Sequence, residues 1–431
     1  MMPSTPRTVP NMSAELRKPV LQIEALLLEK QSLIESWFRK HWLHTPPPFY
    51  ASVDLRNAGF KLAPVDTNLF PAGFNNLDSS CHPLCIQAVQ RAIERHCPTG
   101  RNILIVPESH TRNLYYLESL AALASIVERA GFDVRIGSLL TDLNGAQTID
   151  LPSGNQVTLE PLERHGDRLS VNDFQPCMIL LNNDLSKGNP AIFAGLQQPI
   201  QPPPVLGWTQ RTKSGHFEIY REVAEEFADL VGMDPWLIDP FYRSCGRIDF
   251  LKREGLDCMA HNISSMLEMI GEKYRQYGID KVPFVIVKAD AGTYGMGIMT
   301  VTEPDDIYRL SRKQRTKMSS AKEGLSVDRV LIQEGVYTEE TWGENGAVAE
   351  PVVYMIDNAV AGGFYRVHEE RGPNENLNAP GMRFQPLAFG ESCITPDKHL
   401  DPDAEPNRFY AYGVIARLAL IAAARELATK T

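Results

Sequence analysis

The chain has 431 residues, a formal net charge of -10 at pH 7 and 43% apolar side chains. That length exceeds a single compact core and predicts two or three domains, while the acidic balance excludes a non-specific nucleic-acid binder yet permits a cationic pocket for a small anionic ligand. No apolar run is long enough to cross a membrane, and the N-terminal Met-Met-Pro-Ser-Thr-Pro-Arg lacks the apolar centre of a signal peptide, so cytoplasmic residence without a membrane partner is expected. The seven cysteines (Cys81, Cys85, Cys97, Cys177, Cys245, Cys258 and Cys393) form no Cys-x-x-Cys pair, which predicts free thiols and no structural zinc.

Between a Pro-rich start and Pro46 to Pro48, the residues Leu16, Val20, Ile23, Leu27, Ile34 and Trp37 recur at helical spacing. They predict one amphipathic helix over 13–42, packed in the core or against a second copy of the chain in a homo-oligomer. Residues 52–76 have no clear period and mix Asp54, Arg56, Asn57, Lys61, Asp66, Asn68, Asn75 and Asn76 with glycines and prolines. This reads as a loop-rich surface: either a connector held by Asx turns, or a pocket in which Arg56, Asp66 and Asn68 meet the carboxylate and ammonium of an amino acid. A strand over 102–106, a helix over 111–130 and a strand over 132–136 predict a βαβ unit. Glu108, Ser109, His110, Arg112 and Asn113 then fall at the carboxyl end of its first strand, the usual ligand crevice, although Glu108 or Ser109 equally suits a helix cap. A third strand, 177–181, ends in Asn182-Asn183-Asp184, and Pro199 with Pro202 to Pro204 forms a stiff linker that marks a domain boundary.

After the linker, residues 208–216 place Arg211, Lys213 and His216 just before a helix over 217–231. Cations at a helix start oppose its dipole unless an anion sits there, so Lys213 is a candidate phosphate contact, with a solvated basic turn as the alternative. A helix over 259–277 leads to Pro-Phe-Val-Ile-Val-Lys-Ala-Asp-Ala-Gly-Thr-Tyr-Gly-Met-Gly-Ile-Met-Thr-Val at 283–301. This is strand, Lys288, a loop with Gly292, Gly295 and Gly297, then strand again. Three glycines within six residues let backbone N–H groups approach a bulky anion, and Lys288 adds a charge at the loop's entrance. A Walker loop or a dinucleotide fingerprint would open a helix at this point, so neither fits. Two readings remain: a plain glycine-rich hairpin turn with a surface lysine, or a flap over nucleotide phosphates as in protein kinases and ATP-grasp ligases. Further on come a helix over 303–318, a strand ending Gln333-Glu334-Gly335-Val336, paired strands over 348–356 and 359–367 carrying Glu350 and Arg366, a polar loop with Asn376-Leu377-Asn378, and a helix over 408–428.

This order of pieces resembles the ATP-grasp fold in its glutathione-synthetase-like branch, whose Gly-Gly-x-x-Arg strand and Asn-Leu turn stand here as Gly362-Gly363-Phe364-Tyr365-Arg366 and Asn376-Leu377. The His-Arg-Asp and Asp-Phe-Gly motifs of kinases are absent. The whole chain, on 288–297 and on Val65-Asp-Thr-Asn-Leu-Phe-Pro-Ala-Gly-Phe-Asn-Asn, further looks like the proteobacterial glutamate–cysteine ligase family. Residue physics by itself reaches only an ATP-dependent ligase acting on a carboxylate. The resemblance implies an α/β protein, α+β in its C-terminal half, with an N-terminal helix and substrate segment over 1–100, an α/β domain over 101–204, and an ATP-grasp-like domain over 205–431 whose lid covers about 281–336. It implies ATP and Mg²⁺ as cofactors, with glutamate and cysteine joined through an acyl phosphate. Lys213, Lys288, Gly292, Gly295, Gly297, Gln333, Glu334 and Val336 would then hold the nucleotide, Lys288 and Arg366 would be catalytic, and Tyr294 would seal the lid. Relatives carry an acidic strand residue and a Glu-x-Asn triplet for metal after the Asn-Leu turn. No equivalent follows Gly381, so Glu350, Asn376 and Asn378 stand in on chemical grounds. A glutathione synthetase, or a nucleotide-binding regulator without catalysis, are the rival readings.

Overall fold

The computed structural model describes residues 11–12, 17–109, 113–292, 297–319, 326–387 and 408–430. A short strand, β1 (Asn11–Met12), precedes α1 (Arg17–Glu29) and α2 (Gln31–His44). The helix predicted as one piece is broken at Lys30, and the break leaves Ile23 and Leu27 of α1 in the same core as Ile34 and Phe38 of α2.

Where the sequence predicts a loop over 52–76, the chain forms an antiparallel hairpin, β2 (Tyr50–Asn57) and β3 (Leu62–Asn68), turned at Gly59 with φ +77°. The reason is burial. All of β2 except Asp54 is buried, so the strand lacks the two-residue alternation by which a half-exposed strand is recognised.

After α3 (His82–His96) comes the expected βαβ unit, β4 (Asn102–Pro107), α4 (Leu114–Arg129) and β5 (Asp133–Ser138). With β6 (Gln147–Asp150), β7 (Gln156–Pro161), β10 (Met178–Asn182) and β11 (Ile200–Gln201) it forms a six-stranded sheet in the order β11-β10-β4-β5-β7-β6, parallel except for β6. The strands β8 (Glu163–His165) and β9 (Arg168–Ser170) make a small hairpin beside it. Cys97, just past α3, and Cys177, just before β10, are joined in a disulfide. Free thiols at these two positions are therefore corrected, because the fold brings their Cα atoms to 6.1 Å across a sequence separation of 80. Cys81, Cys85, Cys245 and Cys258 form no disulfide among the described residues, and Cys393 lies outside them.

The second half follows α5 (Lys213–Val231). A four-stranded antiparallel sheet, in the order β12-β15-β13-β14, combines β12 (Tyr242–Gly246), β13 (Val285–Ala289), β14 (Ile298–Val301) and β15 (Arg329–Glu334). It packs with α6 (Leu256–Tyr277) into its own core, with α7 (Arg312–Met318) between β14 and β15 in the chain. A seven-stranded sheet holds β16 (Glu340–Trp342), β17 (Ala347–Ile356), β18 (Ala359–His368) and β19 (Arg383–Pro386), with β1 on β16 and with β2, itself paired to β3, on β17. The first hundred residues thus contribute three strands to a sheet whose longest members lie beyond residue 340. The last helix, α8 (Arg408–Lys430), is Ala- and Leu-rich and buried from Tyr410 to Ala424, packed against α1, α5, β2, β3 and β17. Among the described residues no helix is long and apolar enough to cross a membrane. The architecture is mixed α/β, with a glycine hairpin on a small antiparallel sheet facing a larger one.

Candidate active site

A cleft of about 930 Å³ separates the faces of the four- and seven-stranded sheets and reaches the carboxyl ends of β4 and β10 at Glu108 and Asp184. Lys213, Lys288, Gly292, Gln333, Glu334, Val336, Arg56, Asp66, Asn68, Glu350, Arg366, Asn376 and Asn378 all line it. Gly297, at φ +62°, is described but does not line it, and Gly295, Tyr294, His110 and Arg112 lie outside the described residues. Asn113 caps α4 by accepting from Tyr116 N at 3.3 Å.

Two cations sit on the hairpin side. Lys288, at the end of β13, is 5% exposed and donates to Val65 O at 2.6 Å and Gln333 Oε1 at 2.8 Å. Burial pulls its ammonium down to about 8, against the opposing pull of Asp66. Lys213 Nζ, from the first turn of α5, donates to Asp66 Oδ1 at 2.6 Å. Burial alone would raise Asp66, but Lys213 and Lys288 overcome it and hold the carboxyl well below its usual range.

On the opposite sheet, Glu350 and Arg366 are cross-strand partners on β17 and β18 and pair directly. Arg366 Nη1 also donates to Asp54 Oδ2 at 3.1 Å. Arg56 closes the other side, with Nε 3.1 Å from Glu350 Oε2, and its remaining nitrogens bind the carbonyls of Val336 and Glu375. Asp54 and Asp66 face each other across β2 and β3, a like-charge pair that stands because Arg366 and Lys213 neutralise it. Burial raises the Asp54 carboxyl, and its Oδ1 accepts no hydrogen bond among the described residues.

Three expected roles meet obstacles. The Glu334 carboxylate is 1% exposed and accepts from Lys61 Nζ at 2.8 Å, Trp236 Nε1 at 3.1 Å and Phe241 N at 2.9 Å, so its charge is spent inside the core. As a metal ligand, Glu350 has both oxygens taken by guanidinium groups. Asn376 Oδ1 accepts from Asn378 N at 3.0 Å and so closes its own turn. An acidic residue and an Asp-x-Asn triplet, Asp54 and Asp66-Thr67-Asn68, stand opposite each other on the β2–β3 hairpin upstream. The triplet lies on β3, which pairs with β2, and β2 in turn pairs with β17.

The anion demanded by the cations at the start of α5 comes from the protein itself. Asp290, directly before the glycine loop, accepts from Ser214 N and Ser214 Oγ, both at 2.7 Å, and Asp66 takes Lys213. No motif marked Asp290 in advance.

Compared with known proteins, residues 24–427 match the family model GshA, described as glutamate-cysteine ligase. The chain belongs to that family. It is an ATP-dependent ligase, and the cations gathered under the glycine hairpin fit a ligase's need to neutralise phosphate. A crystal structure from Methylobacillus flagellatus KT, whose protein carries the provisional name gamma-glutamylcysteine synthetase, shares 54% identity, covers 98% of this chain and 99% of its own, and superposes with a TM-score of 0.89. More distant are a glutathione synthetase-like effector from Globodera pallida (10% identity, 87% of this chain and 84% of that one, TM-score 0.37) and a D-alanyl-alanine synthetase A from Vibrio cholerae (11%, 74% and 81%, 0.32). A search of curated proteins returns no significant match.

Proposed function

We propose that this ligase joins the γ-carboxylate of glutamate to the amine of cysteine, the first step of glutathione biosynthesis. The supporting observation is the convergence of Lys213, Lys288, Arg56 and Arg366 on one cleft below the glycine hairpin, in a chain of this family. A glutamate oxygen attacks the γ-phosphorus of ATP, ADP leaves, and an acyl phosphate forms. The cysteine nitrogen then attacks the acyl carbon, phosphate departs with the bridging oxygen, and the amine loses a proton. Lys288 and Lys213 hold phosphate oxygens, while Arg366 stabilises the transferring group and later the tetrahedral oxyanion, each contributing about 2–4 kcal/mol. The glycine hairpin excludes water from the acyl phosphate.

Mg²⁺ takes oxygen ligands, typically one or two carboxylates plus phosphates. Asp54, with Oδ1 open, and Asp66 on the facing strand supply two such carboxylates, beside Asn68, whose Oδ1 accepts from Phe70 N at 3.0 Å, and this set fits the ion better than Glu350 does. Bound there, the ion would neutralise the nucleotide's phosphate charge. In this reading Asp66 and Asn68 serve metal and nucleotide, and the amino acids occupy the arm of the cleft toward Glu108 and Asp184. ADP release, measured with ATP and Mg²⁺ and each amino acid singly and together, should require both glutamate and cysteine. Dependence on γ-glutamylcysteine and glycine instead would contradict the assignment.

A further inference from the structure

One buried chain of hydrogen bonds runs from the end of the last helix to the back of the site, and no step above uses it. The Glu426 carboxylate on α8 accepts from Arg211 Nε at 2.8 Å and Nη2 at 3.2 Å, and from His216 Nδ1. Both donors continue to a single residue of β3. Arg211 Nη1 donates to the Thr67 carbonyl at 2.7 Å, and His216 Nε2 lies 2.9 Å from Thr67 Oγ1. All four side chains are buried.

The proton positions follow from the partners. Burial would raise Glu426, but Arg211 and His216 hold it down to about 2, so it is an acceptor only and the Nδ1 proton belongs to the imidazole. Burial keeps the imidazole neutral, which leaves Nε2 to accept from the Thr67 hydroxyl. An acid, a histidine and a hydroxyl in series also describe an activated nucleophile, but Thr67 is 1% exposed and no substrate reaches it. What remains is position. Successive side chains of a strand point to opposite faces, so Thr67 is held from behind while its neighbours Asp66 and Asn68 face the cleft. The Thr67 amide also donates to Asp66 Oδ1 at 3.1 Å.

We infer that Glu426 is a positioning residue for the active site. Through Arg211 and His216 it clamps Thr67 by main chain and side chain together, and so fixes the aim of Asp66 and Asn68. The inference rests on the reading of those two residues as metal ligands. Partners behind a metal ligand typically affect metal affinity by roughly 10–100-fold.

The test uses the full chain with Mn²⁺ and an unhydrolysable ATP analogue, with free Mn²⁺ followed by electron paramagnetic resonance, so that no turnover is needed. Thr67→Val keeps the shape and the carbonyl bond to Arg211 but loses the hydroxyl. It should weaken Mn²⁺ binding about tenfold and lower kcat while leaving the KM for glutamate and the melting temperature near wild type. Thr67→Ser should restore the Mn²⁺ affinity, which a packing role would not predict. Asp66→Asn is the control for the underlying reading. Weakened binding by Asp66→Asn with wild-type binding by Thr67→Val overturns the clamp alone. Unchanged binding by Asp66→Asn removes the metal reading, and the clamp with it. Should Thr67→Val fail to fold, Glu426→Gln is read in the same way.

Discussion

Lys288 carries most of the charge argument, because its ammonium is held between Val65 O and Gln333 Oε1 at the mouth of the glycine loop. Lys288→Ala should cut kcat/KM for ATP by about 10²–10³-fold, the usual cost of one preorganised donor, with the melting temperature little changed. A variant as active as wild type removes Lys288 from the mechanism. Its protonation makes a second prediction. The folded value of about 8 lies below a lysine's ordinary 10.5, so the native state binds fewer protons than the unfolded chain between those limits, and this group's share of stability rises with pH across that window. Phosphate bound beside Lys288 restores its proton. ATP binding should therefore take up more protons above pH 8 than near pH 6.5, and ATP affinity should fall as pH rises through 8. Calorimetry in buffers of different ionisation enthalpy measures the uptake, and equal uptake at both pH values would contradict the role given to Lys288. At this scale the sequence was informative where chemistry and spacing coincide, as at Lys288 and Arg366. It was silent on Glu426, one acid in an Ala- and Leu-rich helix, whose partners Arg211 and His216 lie 215 and 210 residues away.

Among the elements, the glycine hairpin, the βαβ unit and the paired long strands were legible from periodicity and glycine placement. The β2–β3 hairpin was not, because a strand covered on both faces, with charges pointing into a cleft, imitates a polar loop. The link from β15 to the larger sheet is similarly constrained by packing. Gly335 N donates to Phe284 O at 2.8 Å, and a Cβ at Gly335 would lie 2.1 Å from two carbons of the Phe284 ring, itself fully buried. Gly335→Ala should therefore destabilise the fold by about 1–3 kcal/mol, the range for overpacking, as read from urea denaturation. An unchanged midpoint would show that Phe284 yields freely. Since Gly335 separates Glu334 from Val336, a weakened ATP affinity should accompany the loss.

Across the whole molecule, the site is assembled from distant stretches. Asp54 and Asp66 come from the first hundred residues, Lys213 and Lys288 from the middle, and Glu350 and Arg366 from beyond residue 340. The resemblance pointed to Lys288 and Arg366, the helix-dipole argument to Lys213, and chemistry alone to Glu350 and Asp66, and all of these line the cleft. The acidic hairpin stands at the other end of the chain, and only its pairing with β17 returns it to the same cleft. The reaction proposed for this assembly is transfer of phosphate to a carboxyl oxygen, followed by loss of that oxygen with the phosphate. Turnover with glutamate labelled with ¹⁸O in its γ-carboxylate, together with ATP and cysteine, tests it directly. The account predicts one ¹⁸O atom in each inorganic phosphate released, seen as an isotope shift in the ³¹P spectrum; unlabelled phosphate alongside γ-glutamylcysteine would contradict it.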